Sequence, residues 1–400
     1  MSDLAYLRQA LRLARRAYGD TSPNPLVGAV LVKGGAVIGR GWHRQAGRPH
    51  AEIEALRDAQ KRGHSPRGAT LYVTLEPCCT HGRTPPCTDA IIAAGIRRVV
   101  VGTTDPNPQH AGRGFKILRA AGIRVALIQE AGTPGQRLAA DCARLNEAFN
   151  HWIVHHTPFV TVKAAMTLDG KIATASAESK WITGERARAF GQHLRRGNDA
   201  ILVGVNTILA DNPALTVRTS TLSPAPAGAH AKPAKSIRRL VLDARARTPL
   251  RAAVVNDAQA ASTTIVVSRL APKLRVAALA KRVTVLPAPT ARGSAAATLT
   301  PHLDLRWLLR RLGREKVTSL LVEGGGEVNA SFLLAGLAQR VAFCYAPKVL
   351  GGRTARHGVA GAGARNLREA IPLRDIEWRR LGDDLLCTAL TGPKPKPRGR

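Results

Sequence analysis

The sequence predicts an α/β protein built from two domains in tandem. Three observations lead there. Apolar runs of strand length alternate with helix-period segments through the first 150 residues, the signature of a layered α/β domain. The alternation ends on a helical segment near Gly135–His155 and restarts at Thr157-Pro158. The length, 400 residues, suits two or three domains of the usual ~100–200 residues. The expected boundaries are 1–150 for the first domain, 157–391 for the second, and a Pro- and Lys/Arg-rich tail at 392–400, read as disordered.

Each element has a local reason. Leu4, Leu7, Leu11 and Ala14 recur at helical spacing and predict a helix over 3–18. Val27–Val32 and Ala36–Arg40 flank Gly34-Gly35, a hairpin signal. Ala51–Gln60, Thr88–Ala94 and Gly114–Ala121 read as helices; Ala69–Leu75, Arg98–Gly102 and Arg124–Ile128 read as strands. In the second domain the expected strands are Phe159–Ala165, Ala200–Val205, Arg239–Asp243, Thr263–Val267, Ser319–Val322 and Val341–Ala346. The expected helices are Glu185–Arg196, Leu303–Leu312 and Glu327–Ala338, with a closing hairpin inside Ile376–Leu390. Residues 219–236 are Ala-, Pro- and Ser-rich without periodicity and read as an exposed insertion.

Composition narrows the class. Hydrophobic residues make up 44% and charged residues 22%, enough for a sizeable core, but aromatics are only 4%, so Ala, Val, Leu and Ile must fill it. No apolar run approaches the ~18 residues of a membrane span, and Arg8, Arg12, Arg15 and Arg16 interrupt any signal-peptide core. A cytoplasmic protein without a membrane partner is expected. The net charge of +33 suits an anionic ligand or a nucleic acid. The charges are scattered along the chain and not massed in one stripe, which favours solvated faces over a nucleic-acid footprint.

Of six cysteines, Cys78, Cys79 and Cys87 cluster while Cys142, Cys344 and Cys387 are isolated. A local cluster points to metal binding more than to a disulfide framework. The most specific pattern is Pro49-His50-Ala51-Glu52, then Glu76-Pro77-Cys78, then Cys87. One His and two Cys hold zinc in the nucleobase deaminases and leave a position for water, whose pKa zinc lowers toward ~7. A Glu two residues after the His is no ligand and moves the proton from water to the leaving amine. The usual spacing is P-C-x-x-C, whereas eight residues separate Cys78 from Cys87 here. Cys79 is a rival ligand, and a structural zinc closing on His81 or Cys79 is the competing reading.

Residues 49–56 (PHAEIEAL), 74–87 (TLEPCCTHGRTPPC) and 105–114 (DPNPQHAGRG) together resemble the bifunctional deaminase–reductases of riboflavin biosynthesis, the RibD type, whose pattern has this longer spacer. The resemblance implies a three-layer cytidine-deaminase-like N-terminal domain. It also implies one zinc per chain on His50, Cys78 and Cys87, with Glu52 as proton shuttle. The implied substrate is 2,5-diamino-6-(5-phosphoribosylamino)pyrimidin-4-one, deaminated at C2. Asn24 and His43 resemble the family's pyrimidine pocket, and Arg83 is a candidate for the substrate phosphate; Asp105 and Asn107 either rim the pocket or cap a turn.

The second half carries 163–171 (KAAMTLDGK), 178–183 (ESKWIT), 209–218 (LADNPALTVR) and 321–326 (LVEGGG), which resemble the family's reductase half with its dihydrofolate-reductase-like fold. Glu323-Gly324-Gly325-Gly326 is readable on its own as a strand running into a helix start, where free N–H groups hold phosphate. It is not G-x-G-x-x-G, so a Rossmann domain is not expected. By resemblance NADPH contacts Ala165, Trp181, Thr207, Asp211 and the turn Gly325, Gly326, Glu327, Val328, Asn329, Ala330 and Ser331. The substrate contacts Ser179, Arg195, Leu215, Arg218 and Glu323, with Arg195 and Arg218 offering planar forks to phosphate. Ala244 follows Asp243 where the family often has Ser, which removes one cofactor hydrogen bond. The implied second reaction is NADPH-dependent reduction of the ribosyl group to a ribityl chain. A small-molecule substrate and a homo-oligomer are the expected partners. The alternative, an RNA-directed nucleobase deaminase with an accessory domain, draws on the +33 charge and predicts a salt-dependent shift with structured RNA.

Overall fold

The structure is a computed structural model and describes residues 1–81, 85–218, 235–291 and 302–392. Arg83, most of the 219–236 insertion and the tail from 393 onward lie outside the described residues. The chain divides into two compact units, Met1–His156 and Thr157–Arg400.

Unit 1 runs α1 (Asp3–Ala14), β1 (Gly28–Lys33), β2 (Ala36–Trp42), α2 (Ala51–Lys61), β3 (Thr70–Val73), α3 (Cys87–Ala93), β4 (Arg98–Val101), α4 (Arg113–Ala120), β5 (Arg124–Leu127), α5 (Gly132–Leu145) and α6 (Glu147–His155). The sheet order is β2-β1-β3-β4-β5, antiparallel around β1 and parallel from β3 to β5. Strand alternation builds three layers. Ala29 and Leu31 face the α2, α3 and α4 side with Ala55, Ile91 and Leu118, while Val30 and Val32 face Leu7, Leu11 and Leu138 of α1 and α5.

Helix α2 lies unusually close to β2. A Cβ added at Gly41 would collide with the Ala51 carbonyl oxygen, so only glycine permits this approach. Gly41→Ala is therefore expected to overpack the α2–β2 seam at a cost of about 2 kcal/mol, roughly 4–8 °C in Tm. Thermal unfolding of the variant checks this, and an unchanged midpoint contradicts it.

The single helix expected near Gly135–His155 is two helices. Asn146 breaks it because its buried amide turns back to pair with Leu26, accepting from the Leu26 N–H at 2.7 Å and donating to its carbonyl at 2.9 Å.

Unit 2 contains β6 (Phe159–Thr167), β7 (Lys171–Ala173), α7 (Glu185–Gly197), β8 (Ala200–Gly204), α8 (Val205–Asp211), β9 (Arg238–Leu242), α9 (Ala253–Asn256), β10 (Thr263–Ser268), α10 (Lys273–Ala280), β11 (Thr284–Ala288), α11 (Leu305–Arg314), β12 (Ser319–Val322), α12 (Gly326–Leu334), β13 (Arg340–Ala346), β14 (Arg356–His357), β15 (Leu373–Leu381) and β16 (Asp384–Thr391). The nine-stranded sheet is ordered β11-β10-β9-β8-β12-β6-β13-β16-β15. Its strands are parallel from β11 to β13, with an antiparallel hairpin at the end. Both faces are buried, Leu202, Leu240 and Val322 on one side and Ile201, Val241 and Ile265 on the other, as parallel sheets require.

Chain progression reverses at β8. From there the strands step outward to β11, and β12 then returns between β8 and β6. Such a switch point leaves a crevice at the carboxyl ends of the two strands. Elements not expected from sequence are β7 with its partner β14, α8, α9, α10 and β11. β11 includes Pro287, which a sheet tolerates here because β11 is an edge strand.

Candidate functional site

In unit 1, three short-range devices converge. His50 is the residue just before α2, with extended backbone, and so turns its ring off the helix start. Cys78 sits in the loop after β3, and Cys87 opens α3 behind Pro86. His50 Nδ1 lies 3.5 Å from Cys78 Sγ and 3.3 Å from Cys87 Sγ, and all the ligand atoms lie within 4.8 Å of one another. Zinc–sulfur and zinc–nitrogen bonds of ~2.3 and ~2.0 Å in a tetrahedron put ligand atoms about 3.5–3.8 Å apart, so this donor set fits zinc. Among the described residues it is the one group of this kind.

The rivals point elsewhere. Cys79 Sγ faces His110 Nδ1 at 3.6 Å, and burial raises its thiol pKa. His81 is exposed and outside the group. The three-residue set therefore leaves a fourth position open, the arrangement of a catalytic zinc and not of a structural one. The Cys78 thiol is shifted strongly toward thiolate by the hydrogen bond from the Cys87 thiol and by His50.

Glu52 lies in the first turn of α2, 3% exposed, beside the Cys87 thiol. Burial pushes its carboxyl up to about 7, partly countered by His50. A buried carboxyl beside the ligand set is placed to take and return a proton. His43 is buried against this centre, its ring 5.2 Å from that of His50 and edge-on. Burial lowers its pKa, keeping it neutral. His43 Nδ1 is 3.1 Å from the Pro49 carbonyl and Nε2 is 3.2 Å from Asn24 Nδ2. The carbonyl requires Nδ1 to carry the proton, so Nε2 accepts from Asn24 and the Asn24 amide oxygen is fixed in direction.

Asp105 and Asn107 cap their own turn: Asp105 Oδ1 accepts from the Asn107 N–H at 2.9 Å, and Asn107 Oδ1 from the Gln109 N–H at 3.0 Å. Sequence reasoning gave Glu76 no role of its own. Its buried carboxylate accepts from the backbone N–H groups of Asp105, Gly112 and Gly114 at 3.2, 3.0 and 3.0 Å. It thereby ties the ligand loop to the 105–112 segment and to the first turn of α4. A Glu directly ahead of the Pro-Cys ligand was the available signal.

In unit 2 a cleft of about 990 Å³ opens at the switch point. Ser179, Thr207, Asp211, Gly325, Gly326, Glu327 and Val328 line it. Gly325 is the residue before α12 and a Cβ there would meet nothing within 4 Å, whereas one on Gly326 would strike the His357 carbonyl. The turn thus presents bare backbone at a helix start, a cradle for phosphate. These features fit a dinucleotide phosphate.

Other expected contacts are placed differently. Asn329 is fully buried and donates to the Gly358 carbonyl at 2.8 Å; Ala330 is buried beside it in the helix. Ala165 and Trp181 do not line this cleft; Trp181 is exposed, with the Arg188 guanidinium 4.8 Å from its ring. Leu215 is a core side chain among Ile208, Val241 and Val254. Arg195 is engaged within the protein. Its Nε and Nη2 donate to the two Glu323 oxygens at 2.9 and 2.8 Å, and Nη1 donates to the Thr216 carbonyl. Burial would raise the Glu323 pKa, but Lys163 and Arg195 outweigh it and hold the carboxyl at about 2. Arg218 is exposed, its backbone N–H bonded to Gln192. Sequence reasoning missed the basic wall Arg353, Arg356 and His357, with Lys171 Nζ 3.0 Å from His357 Nε2. The Gly351-Gly352-Arg353 run was its signal.

Comparison with known proteins agrees with both halves. Residues 1–103 match the cytidine and deoxycytidylate deaminase zinc-binding region, and residues 158–387 match the RibD C-terminal domain. A riboflavin biosynthesis protein RibD of Actinobacillus pleuropneumoniae is 42% identical over 390 residues, 96% of this chain and 94% of that one. A solved RibD of Acinetobacter baumannii superposes with a TM-score of 0.80 at 33% identity, over 98% of this chain and 99% of that one. The solved diaminohydroxyphosphoribosylaminopyrimidine deaminase/5-amino-6-(5-phosphoribosylamino)uracil reductase of Thermotoga maritima does so with a TM-score of 0.76 at 32% identity, over 97% and 98%.

Proposed function

Since this chain belongs to the RibD family, the bifunctional deaminase–reductases of riboflavin biosynthesis, we infer that its two units perform consecutive steps on one phosphoribosylaminopyrimidine. The first is hydrolytic deamination of 2,5-diamino-6-(5-phosphoribosylamino)pyrimidin-4-one in unit 1. The second is NADPH-dependent reduction of its ribosyl group in unit 2, giving 5-amino-6-(5-phosphoribitylamino)uracil. The observation that carries the reading is the His50, Cys78 and Cys87 group beside the buried Glu52.

His50, Cys78 and Cys87 would hold one zinc per chain. When bound, zinc supplies a water acidic enough to attack at neutral pH. Glu52, buried beside the ligand set, is placed to accept a proton from the attacking water and return it to the leaving amine. Asn24, oriented by His43, offers an amide donor and acceptor to the pyrimidine edge. Arg83 is the candidate for the substrate phosphate.

In unit 2 the α12 turn, Thr207 and Asp211 hold NADPH, which when bound supplies the hydride. Ser179, Glu323 and Arg218 face the substrate, with Arg195 and Lys163 keeping Glu323 ionised. The same reading makes the protein a cytoplasmic homo-oligomer; among the described residues no helix is long and apolar enough to cross a membrane.

The test is a step-resolved assay. Ammonia release from the diaminopyrimidine and NADPH loss with the deaminated substrate are followed separately, and both are expected. Arg218→Ala removes a charged phosphate partner and is expected to raise KM for reduction about 10- to 100-fold, leaving ammonia release intact. Equal loss in both steps contradicts the assignment.

A further inference from the structure

The segment 213–218 belongs to no helix or strand, so its backbone groups need other partners. Side chains of β9 and α7 supply them. Arg239 donates to the Ala214 carbonyl at 2.8 Å, and Arg195 donates to the Thr216 carbonyl at 3.1 Å. Gln192 Oε1 accepts from the Arg218 N–H at 2.8 Å. Just ahead of the segment, Asn212 Oδ1 accepts from the Ala253 N–H at the start of α9. Leu215 stands between the two clasped carbonyls with φ 52°. A leucine keeps that left-handed backbone only where its surroundings impose it.

Each clasping arginine is itself fixed by a carboxylate, Arg195 by Glu323 and Arg239 by Asp257. Arg239 is 0% exposed, and all five N–H groups of its guanidinium are used. Nε donates to Thr263 Oγ1 at 2.8 Å and Nη2 to the Val254 carbonyl at 3.2 Å. Nη1 and Nη2 also donate to the two Asp257 oxygens at 2.6 and 2.8 Å. These bonds hold the Asp257 carboxyl below the usual carboxylate range.

A buried ion pair is a poor source of stability by itself, since well-packed apolar residues of like volume often serve as well or better. What a guanidinium alone does here is hold the Ala214 carbonyl and the Asp257 carboxylate at once, in one plane. Neither Arg239 nor Asp257 lines the cofactor cleft. The pair reaches the chemistry only through the segment that it fixes, and that segment ends on Arg218.

We propose that the Arg239–Asp257 pair is a positioning unit of the reductase, fixing segment 213–218 so that the Arg218 side chain meets the substrate phosphate. This rests on the reductase reading above and adds residues that act through Arg218 without touching substrate or cofactor.

The test is reductase kinetics of the full-length, zinc-loaded protein with the deaminated substrate at saturating NADPH. Equilibrium NADPH binding counts the folded second unit. Arg239→Met with Asp257→Asn removes the clasp and leaves no buried charge behind. It is expected to raise KM about 10-fold, with kcat and NADPH affinity within about twofold of wild type. On an Arg218→Ala background the same two changes are expected to add less than about twofold, because the residue they act through is gone. Arg239→Lys keeps the charge and one donor for Ala214, and is expected to bring KM back to about threefold above wild type. An unchanged KM, a tenfold rise that persists on the Arg218→Ala background, or equal losses of kcat and NADPH affinity overturns the proposal. Should the double variant bind no NADPH, Arg239→Lys decides: a raised KM with NADPH affinity kept supports the proposal, and an unchanged KM overturns it. Arg218→Ala with an unchanged KM overturns the assignment of Arg218, and the proposal with it. A raised KM there, beside an unchanged KM in the Arg239 variants, overturns the proposal alone.

Discussion

Glu52→Gln is expected to keep its zinc and lose deamination by at least ~10²–10⁴-fold. Glu52 is not one of the three ligand residues, so removing its charge leaves the metal set of His50, Cys78 and Cys87 whole. The amide has the same shape but cannot take a proton from water. The buried setting that raises the carboxyl to about 7 also favours the neutral amide, so the fold is expected to tolerate it. The reductase residues belong to the other compact unit, so NADPH oxidation with the deaminated substrate is expected at the wild-type rate. Metal analysis with the two single-step assays checks this. A zinc-loaded variant that still releases ammonia within tenfold of wild type removes Glu52 from the mechanism.

Cys87→Ser and Cys79→Ser are expected to behave oppositely. Cys87 Sγ lies 3.3 Å from His50 Nδ1, and a serine oxygen there is a harder and shorter ligand than a thiolate for zinc. The variant is expected to purify without metal and without ammonia release. Cys79 Sγ faces His110 and not the ligand group, so Cys79→Ser is expected to retain both. Zinc lost from Cys79→Ser and kept by Cys87→Ser would reverse the ligand assignment.

The sequence was most legible where chemistry fixes residue type and spacing at short range. His50 and Glu52 are two positions apart, and the Cys78–Cys87 spacer is a single loop, so the structure needed only to close one turn on another. It was least legible where a side chain's partner is distant. Asn146 looks like a helix interior until Leu26, 120 positions away, takes its amide. Arg195 looks like a free fork until Glu323, 128 positions away, occupies it. Leu215 lies in a segment rich in expected contacts, yet packing claims it for the core. Asn329 and Ala330 fall in the right turn but on the helix face that a 3.6-residue period turns inward. The basic wall at Arg353–His357 reaches the cleft only because β14 folds back on β7, a two-residue pairing with no periodicity to read.

The central claim is that two chemically independent centres share this chain, one requiring metal and one not. Stripping the wild-type protein with a zinc chelator tests it most directly, with circular dichroism confirming that the fold persists. Ammonia release is expected to vanish and to return on adding one equivalent of zinc. NADPH oxidation with the deaminated substrate is expected to be unchanged throughout. Loss of both activities from the still-folded, metal-free protein, or ammonia release that survives chelation, would contradict the account.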